Sequence, residues 1–373
     1  MFDNVTPERA ISFTKYSVIV TALWPLPPTA TKFERIRYTA LRTFFTMNAI
    51  SLLLALLNAI RVHKESPMEV TRAVQMSSAL FMLLANTVSG VYQYDRFQRV
   101  LEEVKNYLEN AELYERSVLQ KYIDNHCALY GVLGVWVYVS ALVFIVGFIP
   151  TPDPMPCNAV YPFRIDHEPL HTIVLLHQCV AALQIVSNLN LNIQTALLTF
   201  FSAARFEILM IKMRDVKDAV MLATCMAQYH DIKRFAREVI AATLPYCFIT
   251  VASSFFVVIF SAVCLFVNLP DTMKIQFCMH CISGLTETFI CALPCDYLMN
   301  MSGNVMSGLY ESDWYNRARE LKMSILIGLT PQAPLIVKIP GLLSGLTLSF
   351  FSSFLSNVFS MFTVMRVMMI GDD

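Results

Sequence analysis

Long apolar stretches dominate this chain, and shorter segments that carry most of the charge separate them. The hydrocarbon core of a bilayer is about 30 Å thick, so a helix needs roughly 20 apolar residues to cross it. Seven stretches approach that length and predict transmembrane helices at approximately 43–62, 73–94, 126–149, 170–204, 240–268, 275–299 and 341–365. The sixth is the weakest, because Glu287 and Asp296 interrupt it.

The charged residues confirm the membrane class and predict an orientation. Only 15% of residues are charged and 56% are hydrophobic, whereas soluble domains carry roughly 25% charged residues. The N-terminal segment and the segments after spans two, four and six hold six, five, seven and four Lys and Arg, and the opposite side holds only six of the 28. Basic residues collect on the cytoplasmic side. We therefore predict one transmembrane domain over 1–373, with a cytoplasmic N-terminus and an extracellular C-terminus.

Two segments between the spans have the apolar periodicity of amphipathic helices. Residues 97–122 alternate Leu, Val and Tyr with Glu, Lys and Arg, and are expected to extend the second or third helix into the cytoplasm. Residues 310–329 place Trp314, Tyr315 and Leu321 against charged positions. We predict a cytoplasmic anchor helix there, lying on the membrane or against the other helix ends.

Polar residues within the spans need partners, because lipid offers none. Gln184, Asn188 and Asn192 recur every four residues on the fourth span, which predicts a stripe of interhelical hydrogen bonds. Glu287 shares a helix face with His280 and Gly284. An intramembrane carboxylate indicates a function by default, and ligand sensing, a structural hydrogen bond and a water-filled cavity remain open for it.

Several protein classes are disfavoured. Equal numbers of acidic and basic residues give no sign of a nucleic-acid partner. Cys278 and Cys281 form a CxxC pair, but no further ligands follow at zinc spacing, so packing in the membrane is favoured over a metal site. We find no nucleotide loop or catalytic triad and predict neither an enzyme nor a cofactor. A secondary transporter would show repeated halves, which we do not find.

Short motifs in a fixed order resemble the insect odorant receptor family. Tyr310-Glu-Ser-Asp-Trp314-Tyr315 is similar to the family's tyrosine–x–serine–x–tryptophan–tyrosine signature. The other matching segments are Tyr161-Pro162-Phe163, Ala204-Arg-Phe206-Glu207-Ile-Leu209, Pro331-Gln-Ala-Pro334 and Ser360-Met-Phe362-Thr-Val364. One position departs from the pattern, since Arg164 stands where the family usually has Asp.

The resemblance implies a seven-span, all-α channel fold with inverted topology and an odorant-gated, non-selective cation channel. It implies a heterotetramer with the odorant receptor co-receptor, a small volatile ligand, permeating cations and surrounding membrane lipid, at the plasma membrane of sensory neuron dendrites. The co-receptor carries a long insertion between spans four and five, whereas the interval 205–238 is short here. We therefore expect a ligand-tuning subunit. A seven-span receptor coupled to a G protein, which the orientation disfavours, and a gustatory-type receptor of the same fold are the alternatives.

The last span carries a stripe of small polar residues at steps of three and four: Ser349, Ser353, Ser356, Ser360 and Thr363. This pattern is typical of a pore-lining helix, although small residues also allow close helix packing in lipid. The resemblance places the outer constriction at Val364 and Met368, with Val367 near the narrowest point. We predict pore positions at Ser360, Val364, Val367 and Met368.

A pocket for an apolar volatile needs an aliphatic and aromatic lining with a few polar groups. The resemblance places it among spans two to six, toward the outer side. The predicted lining is Ser77, Phe81, Trp136, Tyr138, Leu142, His177, Val180, Leu183, Phe256, Phe260, His280 and Gly284. For each position, ordinary helix packing is the alternative, and Trp136 could simply anchor span three.

Overall fold

The structure, a computed structural model, describes residues 5–147, 155–165, 167–265, 271–330, 332–339 and 344–370. Their α-helices are α1 (Pro7–Ser17), α2 (Lys32–Val62), α3 (Pro67–Tyr92), α4 (Tyr94–Asn110), α5 (Leu113–Gly147), α6 (Leu170–Leu189), α7 (Leu191–Arg214), α8 (Ala219–Cys264), α9 (Asp271–Asn304), α10 (Ser307–Tyr310), α11 (Arg319–Gly328) and α12 (Leu348–Ile370). Six helical segments are long and apolar enough to cross a membrane, and Leu348–Val364 is a shorter apolar segment. The ends of three predicted spans, at 148–149, 266–268 and 341–343, lie outside the described residues.

Several helices continue well beyond the predicted spans. A capping box starts α2 at Lys32: the Glu34 backbone N–H donates to the Thr31 hydroxyl over 3.2 Å, and the Thr31 N–H donates to the Glu34 carboxylate over 2.8 Å. At the start of α8, Asp218 accepts from the Met221 N–H over 2.7 Å. These caps stabilise helix ends that extend past the predicted spans, at the end of the bundle that also holds α4, α10 and α11. We call this the inner end.

The fourth span differs from the single helix predicted over 170–204. It is built from α6 and α7, which meet at Asn190. Both the backbone N–H and the side-chain amide of Asn190 donate to the carbonyl of Val186 over 3.2 Å, so the side chain competes for a helix hydrogen bond. Beyond the break, α7 runs through the centre of the bundle and packs against α5, α8 and α9.

The predicted extension over 97–122 is shared by two helices, α4 after the second span and the start of α5 before the third. The prediction of a single anchor helix over 310–329 was wrong. The chain instead forms α10, a 3-10 turn at Trp314–Asn316 and α11. The Ser312 hydroxyl donates to the Leu309 carbonyl over 2.7 Å and the Asn316 amide donates to Asp313 over 2.7 Å. Such local bonds compete with a continuous helix.

A paired arginine joins three helices at the inner end. Arg205 of α7 donates to Glu103 of α4 over 3.1 Å. Its guanidinium also lies over the rings of Tyr107 and Phe235, 4.8 and 4.7 Å from their centroids. Burial raises the pKa of the Tyr107 hydroxyl, which therefore stays neutral. The arginine head is thus held between a carboxylate and two aromatic faces.

The N-terminal segment enters the bundle, although its charges predicted a cytoplasmic position. At one end of α1, Glu8 lies 3.7 Å from Arg116 at the start of α5. At the other end, the carbonyl of Ser17 accepts from the Ser187 hydroxyl over 2.9 Å. The chain then reverses at Ala22, whose φ is 51°, and returns to the inner end, where the Leu26 N–H donates to the Tyr94 hydroxyl over 2.9 Å.

Gly308 of α10 makes the closest approach to α7. A Cβ at this position would lie 2.2 Å from the carbonyl oxygen of Met210 and 3.1 Å from the Met213 Cβ. We expect Gly308→Ala to destabilise the protein by about 1–3 kcal/mol, because the helices cannot part without losing their packing. Thermal unfolding in detergent measures the loss.

The matched control is Gly303→Ala, where the nearest side-chain atom to a new Cβ would be the Cβ of Pro334 at 3.3 Å. This helical glycine gains helix propensity on substitution, so its midpoint should stay near that of the parent chain. Equal unfolding temperatures for the two variants would contradict the contact at Gly308.

Candidate functional site

A cleft of about 900 Å³ opens between α2, α6 and the described part of the loop that joins α5 to α6, which we call the outer loop. Its volume lies in the range of small-molecule sites. Most of the lining is aliphatic or aromatic, and Asn48, Asn58 and His177 are among its polar side chains. Two predicted ligand residues, His177 and Val180, line this cleft.

Hydrogen bonds between α2 and α6 fix the polar side of the cleft. The Nδ1 atom of His177 lies 2.8 Å from the Asn48 Oδ1, and the Asn48 amide donates to Gln184 over 3.0 Å. Gln184 in turn donates to the Phe45 carbonyl over 2.9 Å. The imidazole Nδ1 is therefore the donor, which makes Nε2 an acceptor in the neutral ring. The described residues provide no partner for that buried Nε2.

The outer loop is tied to both helices that form the cleft. The Val160 N–H donates to the Ala55 carbonyl over 3.1 Å, and the Cys157 N–H donates to Gln178 over 2.9 Å. Gln178 also donates to the Tyr161 hydroxyl over 3.3 Å. Burial raises the pKa of Tyr161 to about 12, so its hydroxyl remains protonated near neutral pH. The loop thereby holds Tyr161 against the His177 ring, with centroids 6.0 Å apart.

Four of the predicted ligand residues point away from the subunit's own helices instead of into an interior pocket. The exposed fractions are 70% for Phe81, 52% for Trp136, 60% for Leu142 and 46% for Phe256. Sequence periodicity identifies the faces of a helix but does not show which face meets another helix when both faces are apolar. At these four positions the prediction selected residues on the side of the helix that faces outward.

The remaining predicted ligand residues face protein but do not join the cleft. Ser77 is buried, and its hydroxyl has no partner among the described residues. Tyr138 donates to the carbonyl of Ser17 and so contacts the N-terminal segment. A Cβ on Gly284 would lie 2.7 Å from a Val258 methyl, which shows close α8–α9 packing. Partly buried members of the set are Leu183, Phe260 and His280.

The polar stripe on the fourth span makes three interhelical contacts. Gln184 reaches α2, as described above. Asn188 accepts from Asn86 of α3 over 3.1 Å, and Asn192 accepts from the Thr250 hydroxyl of α8 over 2.8 Å. The three side chains are at most 3% exposed. This confirms the hydrogen-bonded stripe predicted from the spacing, with each residue directed at a different helix.

The two acidic residues of the sixth span have different partners. Glu287 lies 3.4 Å from the Ser254 hydroxyl of α8, within hydrogen-bonding distance. Asp296 accepts from the Leu348 N–H at the start of α12 over 3.2 Å and from the Asn300 amide over 2.9 Å. The carboxylate of Asp296 thus caps the last helix, where a negative charge also complements the helix dipole.

The last helix, α12, is attached to the bundle through one face. Phe354 is only 5% exposed and its ring lies 5.9 Å from Phe255, while Phe351 lies 5.4 Å from Phe289. The serine stripe lies on the opposite face, and its described members beyond Ser349 are exposed: Ser353, Ser356, Ser360 and Thr363.

Two predicted pore positions share this outward side. Val364 is 50% exposed and Val367 is 68% exposed. Steps of four, three and four residues join Ser356 to Ser360, Thr363 and Val367 on one face. The side chain of Met368 lies outside the described residues.

Comparison with known protein families identifies the family to which this chain belongs. The sequence model of the 7tm odorant receptor family matches residues 66–359, most of the chain. The protein therefore belongs to the odorant receptor family, whose members are multi-pass membrane receptors and not enzymes. A comparison with curated protein sequences finds no match.

Solved structures show the same fold. The insect olfactory receptor OR5 from Machilis hrabei, solved in complex with eugenol, superimposes with a TM-score of 0.76 at 14% identity, over 96% of this chain and 99% of that one. A second structure of OR5 from Machilis hrabei gives the same TM-score at 15% identity, over 96% and 98% of the two chains. The predicted insect olfactory receptor-type fold is thus confirmed.

The stripe offers a direct stability test, because Asn86 and Asn188 are buried and bonded to each other. We expect Asn188→Ala to lower the free energy of unfolding by about 1–2 kcal/mol, since it leaves the Asn86 amide without this acceptor. The double variant Asn86→Ala/Asn188→Ala should lose less than the sum of the two single losses. Unfolding monitored in detergent gives the four values, and strictly additive losses would contradict the bond.

Proposed function

We propose that this chain is a ligand-tuning subunit of an odorant-gated, non-selective cation channel and assembles with the co-receptor as a heterotetramer. The family match over residues 66–359 carries the proposal. The short α7–α8 connection, 215–218, supports a tuning subunit, because it leaves no room for the long insertion of the co-receptor. A plasma-membrane position in sensory dendrites follows from that role.

The outer cleft is the proposed odorant site. Its mostly apolar lining favours a volatile molecule, and Asn48, Asn58 and His177 contribute polar side chains to its wall. A ligand with one hydroxyl or phenol group would hydrogen-bond to one of these side chains while its apolar part occupies the cleft. Eugenol, bound by the Machilis receptor, has this combination of groups. The predicted residues outside the cleft, such as Ser77 and His280, remain proposals for a deeper part of the pocket.

The proposed pore is a shared channel lined by α12 of each subunit. The face away from Phe354 carries small hydroxyl side chains that suit a water path. Val364 and Val367 would form apolar rings that exclude water and thereby close the pore. In the proposed arrangement, α12 packs against the subunit's own α8 and α9 on one face and would contact permeating water and cations on the other.

A current recording tests the ligand site. Cells that express the chain with the co-receptor should give cation currents to hydroxyl-bearing volatiles, and Val180→Trp should reduce sensitivity at least about tenfold by narrowing the cleft. The control Phe81→Trp places the same ring on an outward face and should leave sensitivity near that of the parent chain. Equal dose–response curves for the two variants would exclude the cleft as the odorant site.

The pore is tested separately. Val364→Ala removes two methyl groups from the proposed ring, so the closed pore should rewet more readily and basal current should rise. Phe351→Leu on the attached face is the control, and it should alter stability more than permeation. Unchanged open probability, conductance and ion selectivity in Val364→Ala would remove this residue from the pore.

A further inference from the structure

A second cavity, of about 240 Å³, lies near the inner end between α1 and the bundle. Its walls come from α1, α4, α5 and α7. Phe13 lines it from α1, Gly131 from α5 and Ala196 from α7, and all but a small part of the lining is apolar. Nothing in the proposed channel function uses this space, which is separate from the outer cleft.

The walls are held apart by contacts at both ends of α1. The Gln120 amide donates to the Val5 carbonyl over 2.7 Å at the inner end. At the opposite end the Ser187 hydroxyl donates to the Ser17 carbonyl over 2.9 Å. With both ends fixed, α1 cannot collapse onto α5 and α7 to fill the space.

An aromatic cluster bounds the cavity on the side of the bundle core. The rings of His126 and Phe200 stack with centroids 4.1 Å apart, and Tyr297 of α9 meets His126 edge-on at 5.1 Å. Both His126 and Phe200 line the cavity. An occupant would therefore contact rings that connect α5, α7 and α9.

Three polar side chains in the walls are hydrogen-bonded within the protein, and the charged lining residue Arg9 is exposed. The Thr14 hydroxyl donates to the Ile11 carbonyl over 2.8 Å and the Tyr130 hydroxyl to the Ile290 carbonyl over 2.9 Å. The Nδ1 atom of His126 lies 2.9 Å from the Tyr122 carbonyl. The occupant thus needs no hydrogen-bonding group, and a charged group placed deep among the apolar walls, away from Arg9, would lose its hydration without compensation.

We propose that this cavity is a second ligand site, for an uncharged apolar molecule of about ten carbon atoms. A protein cavity of about 150 Å³ lined by apolar side chains binds benzene, and scaling by volume gives that larger size. A molecule bound here contacts both α1 and the aromatic cluster and stabilises this arrangement of the helices.

Binding of 1-fluoronaphthalene to the full chain in lipid nanodiscs tests the proposal, with fluorine NMR as the readout. The parent chain should show a shifted, saturable resonance. Gly131→Leu, which fills the cavity, should abolish it, whereas the neighbouring outward substitution Val132→Leu should retain it. Phe13→Ala enlarges the space and should extend binding to a fluorinated three-ring probe that the parent chain excludes.

The outer-cleft variant Val180→Trp separates this site from the odorant site, because it should leave the resonance intact even if the proposed odorant site is wrong. The absence of a saturable resonance in the parent chain would overturn the proposal. So would a resonance that persists in Gly131→Leu and disappears in Val180→Trp. A phospholipid that co-purifies with the parent chain and is lost only in Gly131→Leu would show that an acyl chain occupies the cavity, which also overturns it.

Discussion

The fold depends on one constraint, the need of each polar group inside the bilayer for a partner within the protein. In this chain, polar side chains of the fourth span (α6 and α7) supply hydrogen-bond partners for polar groups of the neighbouring helices. Gln184, Asn188 and Asn192 direct their amides at α2, α3 and α8 in turn. Apolar contact alone gives helices in lipid little preference for one register. These three bonds therefore fix how the helices around α6 and α7 are placed along one another.

The same stripe connects the outer cleft to the middle of the bundle. His177 at the cleft shares Asn48 with Gln184, the first residue of the stripe. Toward the other end of the stripe, the helix break at Asn190 lies three residues beyond Ser187. The Ser187 hydroxyl donates to the Ser17 carbonyl at the end of α1. A ligand that changes the hydrogen bonding of His177 thus acts on side chains that also set the position of α2, and the fourth span is the element that both proposed sites contact.

The sequence predicted those parts of the structure that follow from periodicity and the cost of burying charge. The seven spans and the polar stripe belong to this group. The inward turn of the N-terminal segment was missed, although the apolar residues after Lys15 form a run of about the length typical of a re-entrant segment. The outward positions of Phe81 and Trp136 could not be predicted, because a helix in lipid is apolar on both faces and only contacts identify the inner one. Local side-chain bonds around Ser312 likewise divided a segment whose periodicity favoured one helix.

The last helix has two unlike faces. The face that carries Phe351 and Phe354 packs against α9 and α8 through aromatic contacts, and Asp296 caps the first turn of the helix. The other side exposes hydroxyl groups that donate back to carbonyls of their own helix: Ser353 to Ser349 and Thr363 to Phe359. Such self-bonded hydroxyls tolerate hydrocarbon but gain from water. The proposed aqueous path between subunits would give that face the environment its composition favours.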